Sequence, residues 1–170
     1  MKILVTGGAG FIGCNFVYYM LEKYPDYDIV CLDALTYAGN LKSLDEAMKN
    51  PKFSFVKGSI SDREFVDGLF AEQKFDIVVN FAAESHVDRS IENPFIFLET
   101  NVMGTVNLLN CAKAAWELPD GSFIRLSITR DSVFALFIKA ALPSVLIIFF
   151  ALFLSVFVDA SDVGITKRRA

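Results

Sequence analysis

Apolar residues come in short blocks along this chain, and the spacing inside each block sets the element it predicts. Lys2–Thr6 is a β-branched apolar run that ends in glycines, and it reads as a buried strand. Phe11–Lys23 then shows helical spacing, with Phe16, Val17, Met20 and Leu21 as its apolar positions. Asp28–Leu32 is a second strand without polar alternation, which predicts burial on both faces. Phe53–Val56 is a third strand. Asp62 stands where a cap is needed for a helix running to about Gln73, and Asp76–Asn80 is a fourth strand. Pro94 opens a long helical stretch to about Glu117, with Phe97, Val102, Val106 and Leu109 among its apolar positions. Strand alternating with helix predicts an α/β fold, a doubly wound parallel sheet with right-handed crossovers.

The pattern changes at Leu118-Pro119-Asp120-Gly121, a turn-forming cluster. Phe123–Ile128 fits a fifth strand. The spacing predicts three segments: 1–117 as a partial dinucleotide-binding domain, 118–131 as a divergent junction, and 132–170 as a hydrophobic helical tail. The nineteen residues 140–158 carry no charge, and thirteen of them are Leu, Ile, Val or Phe. As a helix they would reach about 28 Å, the thickness of a bilayer core. Their side chains would favour insertion by roughly 4–8 kcal/mol before polar costs. Lys167, Arg168 and Arg169 follow, on the cytoplasmic side if 140–158 is a transmembrane helix.

Composition sharpens this division. The chain has 170 residues, 54% hydrophobic and 21% charged, enough for a core and unlike a disordered chain. Its net charge of −4 argues against a nucleic-acid groove. Residues 1–117 hold ten Lys or Arg against sixteen Asp or Glu, whereas 118–170 hold six against four. Cys14, Cys31 and Cys111 are odd in number, far apart and set in apolar patterns. That spacing suits buried free thiols in a reducing cytosol, not a metal site or a disulfide framework. The first residues form a strand and not a signal peptide.

Three motifs carry chemistry. In Thr6-Gly7-Gly8-Ala9-Gly10-Phe11-Ile12-Gly13, the glycines follow a strand and open a helix, the arrangement of a Rossmann-type dinucleotide site. Gly7 permits the tight turn, Gly10 lets backbone approach a pyrophosphate, and Gly13 lets the helix pack closely. The helix N-terminus offers free N–H groups to phosphate. Asp33 ends the second strand twenty residues after Gly13. A carboxylate there accepts from both ribose hydroxyls and repels a 2′-phosphate, which favours NAD over NADP; as a structural residue it would cap a turn. Asn80-Phe81-Ala82-Ala83-Glu84-Ser85-His86-Val87-Asp88-Arg89-Ser90 leaves the fourth strand at the edge where ligands bind. Its small residues Ala82 and Ala83 let a cofactor lie on the backbone, and Ser85, His86 and Arg89 face the place of a substrate. His86 is the only histidine, and the sequence offers it no partner for general-base work.

Thr6–Gly13, Asp33-Ala34-Leu35-Thr36-Tyr37-Ala38-Gly39-Asn40, Ala82–Ile91 and Glu99-Thr100-Asn101-Val102-Met103-Gly104-Thr105 resemble the dTDP-glucose 4,6-dehydratases of the extended short-chain dehydrogenase/reductase family. The resemblance covers residues 1 to about 117. It implies that Gly7, Gly10, Phe11, Ile12 and Gly13 lie at the pyrophosphate. Asp33, Ala34, Leu35 and Thr36 would surround the adenosine ribose. Ser59 and Ile60 would lie at the adenine, where serine replaces the family's aspartate. Phe81, Ala82, Ala83, Glu84 and Ser85 would line the nicotinamide side, Ser85 would also touch the sugar nucleotide, and Thr100 would complete the site. The cofactor implied is NAD and the substrate dTDP-glucose. A homodimer and a cytoplasmic location are expected of an intact family member.

The implied reaction takes hydride from C4 of the glucosyl group, eliminates water across C5 and C6, and returns hydride to C6. It needs a Tyr-x-x-x-Lys pair and an Asp-Glu pair, all expected after residue 120. No tyrosine follows Tyr37. Tyr19 and Lys23 have the spacing but belong to the first helix. Ser127-Ile128-Thr129-Arg130-Asp131-Ser132-Val133-Phe134 only faintly echoes the carboxylate motif, and serine cannot replace a carboxyl in acid–base work. No catalytic residue is therefore assigned. The expectation is a truncated or chimeric dehydratase, C-terminally incomplete and without turnover. The alternatives are a membrane-tethered, non-catalytic NAD-binding protein, a related nucleotide-sugar epimerase, and a tail that forms a buried core helix.

Overall fold

A computed structural model describes residues 1–120. The junction beyond residue 120, the fifth strand at 123–128, the tail and the candidate span 140–158 lie outside the described residues. Among the described residues no helix is long and apolar enough to cross a membrane.

Met1–Glu117 is one compact unit. Its strands are β1 (Lys2–Thr6), β2 (Asp28–Asp33), β3 (Phe53–Lys57) and β4 (Ile77–Asn80). They pair in parallel in the order β3-β2-β1-β4. β1 is thus flanked on both sides, and its residues Ile3, Leu4, Val5 and Thr6 are buried. The expected run of unalternating apolar residues follows from this: helices α1 (Phe11–Lys23), α2 (Arg63–Gln73) and α5 (Thr105–Trp116) cover the sheet. Leu4, Val30 and Leu32 join Val66, Leu69 and Phe70 of α2 and Leu108, Cys111 and Ala112 of α5 in one core. Ile3, Val5, Ile29 and Cys31 alternate with these residues, so they point to the opposite face, and they are buried as well. α1 lies against β1 and β2. Asp62 caps α2 as its position predicts, its carboxylate accepting from the Phe65 N–H at 3.1 Å.

The helix predicted from Pro94 to about Glu117 is present as three consecutive pieces, preceded by a short helix that the spacing does not predict. Val87–Glu92 forms α3, and Pro94–Phe97 forms α4 after a break at Asn93. Leu98–Gly104 is π-helical and leads directly into α5. The buried positions of the last helix are Asn107, Leu108, Cys111 and Ala112, while Val102 and Leu109 are exposed. Gly104 sits where a Cβ would come within 2.6 Å of Ile60, so the π segment lies directly on that side chain.

Candidate functional site

The glycine turn, the loop after β2 and the loop after β4 all leave the C-terminal edge of the parallel sheet, where open α/β folds bind ligands. Gly7 has φ +65°, a conformation glycine adopts freely, and a Cβ there would meet the Phe81 carbonyl group. At Gly13 a Cβ would collide with the Gly7 carbonyl oxygen, so the absent side chain lets α1 start against the turn itself. The first intrahelical bond of α1 runs from the Cys14 N–H to the Gly10 carbonyl at 3.0 Å. The N–H groups of Phe11, Ile12 and Gly13 precede it and point along the axis, the geometry that receives a phosphate. The Phe11 side chain is 86% exposed and Ile12 46%, so both flank this opening from the solvent side.

Asp33 ends β2 at 8% exposure. Its Oδ2 accepts from the Ala9 N–H at 2.9 Å, and its Oδ1 accepts from the Leu35 N–H at 2.8 Å. The carboxylate therefore does cap a turn, and it also ties that turn to the glycine loop. Each oxygen keeps a further lone pair for a ligand hydroxyl. Leu35 has φ +53°, unusual for a branched side chain and held by this hydrogen bond. The Asn40 N–H donates to the Ala9 carbonyl at 2.9 Å, closing the loop from its other end. Ala34 and Leu35 are half-buried and Thr36 is exposed.

The remaining predicted residues fall into two environments. Ser59 is half-buried, and its hydroxyl accepts from the Ser61 N–H at 3.2 Å. Ile60 is a core residue whose carbonyl accepts from Asn107 Nδ2 at 3.1 Å. Phe81 packs on Phe16 with ring centroids 5.2 Å apart, and Ala82 is half-buried beside it. Ala83 and Ser85 are exposed. Glu84 is 3% exposed, and its Oε2 has no hydrogen-bond partner among the described residues. That oxygen is a buried acceptor which a ligand N–H or O–H can satisfy. Thr100 lies half-buried in the π segment.

A hydrogen-bonded network that sequence reasoning missed holds the loop after β4. The Thr6 hydroxyl donates to Asn80 Oδ1, and the Asn80 amide donates to the Thr105 hydroxyl at 3.3 Å. Thr105 in turn donates to the Asn101 carbonyl at 2.8 Å. The Asn101 side chain then grips Glu84 twice, accepting from its N–H at 2.8 Å and donating to its carbonyl at 2.9 Å. The sequence signal was the presence of Thr6, Glu84, Asn101 and Thr105 inside the resemblance strings.

The profile described as GDP-mannose 4,6 dehydratase matches residues 4–129. The chain belongs to this family. The dTDP-glucose 4,6-dehydratase of Neisseria meningitidis serogroup B is 50% identical over 116 residues, covering 68% of this chain and 32% of that protein. The low-salt glycan biosynthesis protein Agl12 of Haloferax volcanii is 55% identical over 112 residues, covering 66% of this chain and 35% of that protein. Among solved structures, the dTDP-glucose 4,6-dehydratase DesIV of Streptomyces venezuelae, crystallised with NAD bound, superposes with a TM-score of 0.62 at 48% identity. It covers 68% of this chain and 36% of that one. The chain thus spans about a third of the length of these dehydratases.

The Tyr-x-x-x-Lys spacing at Tyr19 and Lys23 lies away from the C-terminal edge of the sheet. Lys23 Nζ donates to the Tyr19 hydroxyl at 2.5 Å on the exposed side of α1. The two residues sit about 12 and 18 Å along the helix from Phe11. Cys31 and Cys111 are buried free thiols as expected, whereas Cys14 is only half-buried.

Proposed function

We propose that residues 1–117 bind NAD at the C-terminal edge of the sheet, as the cofactor half of a dTDP-glucose 4,6-dehydratase. The observation that carries this reading is Asp33. It is a carboxylate at the end of β2, joined to the glycine turn through Ala9 and set to receive a ribose without a 2′-phosphate. The opened helix N-terminus, the glycines that bring α1 against the turn, and the buried acceptor on Glu84 all suit a bound dinucleotide. NAD supplies the hydride chemistry of this family when bound. The residues of this chain hold it: Gly10, Phe11 and Ile12 at the pyrophosphate, Asp33 to Thr36 at the ribose, Ser59 and Ile60 at the adenine, and Phe81 to Ser85 with Thr100 on the nicotinamide side. Ser85, exposed at the end of that loop, is the residue proposed to reach the sugar nucleotide.

The proposal extends to catalysis by subtraction. The family's Tyr-x-x-x-Lys pair and its Asp-Glu pair are expected after residue 120, where the sequence carries neither, so the reading is cofactor binding without conversion of dTDP-glucose. A cytoplasmic location and the homodimer of an intact member go with the same reading. Fluorescence titration with NADH and NADPH tests it, alongside an assay for the 4-keto-6-deoxy product. The expected result is saturable NADH binding, weaker NADPH binding and no product. Equal affinity for the two cofactors would overturn the role of Asp33, and product formation would overturn the absence of turnover.

A further inference from the structure

The loop after β2 and the segment after β4 meet through three side chains. The guanidinium carbon of Arg89 lies 4.3 Å from the centroid of the Tyr37 ring. The His86 ring meets Tyr37 edge-on, with centroids 5.9 Å apart and planes at 89°. His86 immediately precedes α3 and Arg89 lies in its first turn, so both come from one short segment. Tyr37 and His86 are exposed, and Arg89 is in none of the ion pairs found among the described residues.

The topology fixes what this contact spans. β2 and β4 lie on opposite sides of β1, so their axes are about 10 Å apart. A contact between the loops that leave their C-terminal ends passes over the C-terminal end of β1. Beneath it lie the Gly7–Gly10 turn and the first turn of α1, where the pyrophosphate is placed above.

We propose that Tyr37, His86 and Arg89 form a clasp over the dinucleotide and set the rate at which it leaves. This rests on the NAD reading. The clasp joins the ribose side of the site to the nicotinamide side through side chains. A dinucleotide lying beneath it departs only when the Tyr37–Arg89 stack opens. Arginine suits the position, since its flat cation stacks on an aromatic face and separates again at little cost.

NADH release from the full chain, followed by stopped-flow fluorescence on displacement with excess NAD, tests the clasp. Tyr37→Ala and Arg89→Ala should each speed release roughly two- to fivefold, the strength of an exposed cation–π contact. Tyr37→Phe keeps the ring and should release at the parental rate. The double variant should be no faster than Tyr37→Ala alone, because that substitution already removes the ring on which Arg89 stacks. Multiplying effects in the double variant would mean that Arg89 acts on the ligand independently, and would overturn the clasp. Parental release rates in both alanine variants would overturn it too. A parent chain that gives no NADH signal would instead overturn the cofactor reading, and the clasp with it.

Discussion

Asp33 supports two loops with one carboxylate, so its replacement has structural and binding effects that can be separated. In Asp33→Asn the amide can still accept from one N–H but places an NH2 group against the other. A loss of about 1–3 kcal/mol in urea unfolding is expected, together with a narrower gap between NADH and NADPH affinity. Asp33 was legible in the sequence because a fingerprint position names it; its bond to Ala9 was not, because spacing carries no information on which backbone N–H a carboxylate finds. The cysteines give a second test at this scale. Burial, helped by the negative charge of Asp33, pushes the Cys31 thiol up from 9.0 to about 12. Burial and the hydrogen bond to Asp67, 2.9 Å from its sulfur, do the same for Cys111. The folded protein therefore keeps protons that the unfolded chain releases near pH 9. Stability from these thiols is complete below that pH and declines as pH climbs toward 12. Urea midpoints should fall as pH rises from about 9 toward 12, and Cys31→Ala should make that fall shallower. At neutral pH a thiol reagent should modify Cys14 first, with Cys31 and Cys111 following only on unfolding.

Val102, Val106 and Leu109 share one helical face at i, i+4 and i+7, but the face that meets the core carries Asn107, Leu108, Cys111 and Ala112 instead. An asparagine, a cysteine and an alanine on the buried face, against valine and leucine on the other, are what misled the periodicity. The short helix α3 was invisible because fewer than two turns hold too few apolar positions to establish a period. The strands and α1 were plain, because their runs are bounded by glycines and caps that act locally. The π segment places Asn101 against Glu84. Asn101→Leu should cost about 1–3 kcal/mol, since it strands two backbone groups of the loop after β4. If Asn101 only filled space, NADH affinity would survive this change; weaker binding with the fold retained by circular dichroism would show that it positions the loop.

Across the whole unit, the four strands bring together sequence segments that lie far apart, and NAD should stabilise the assembly as one. Saturating NAD is expected to raise the thermal midpoint of the chain, by RT ln(1 + [L]/Kd) in free energy, or about 2.7 kcal/mol at a hundredfold excess over Kd. Gly13→Ala should lower the midpoint and abolish that rise, because its Cβ would enter the space of the Gly7 carbonyl oxygen. The grip on Ala9 reaches further. Its N–H belongs to Asp33 and its carbonyl to Asn40, so the turn that faces the phosphates cannot shift without moving the loop that faces the ribose. Adenosine and pyrophosphate are then not two independent guests. Whatever steadies one end lowers the cost of receiving the other, and by reciprocity the gain is the same in either order. Mononucleotide fragments offered together should bind cooperatively, so the intact dinucleotide is recognised as a single shape.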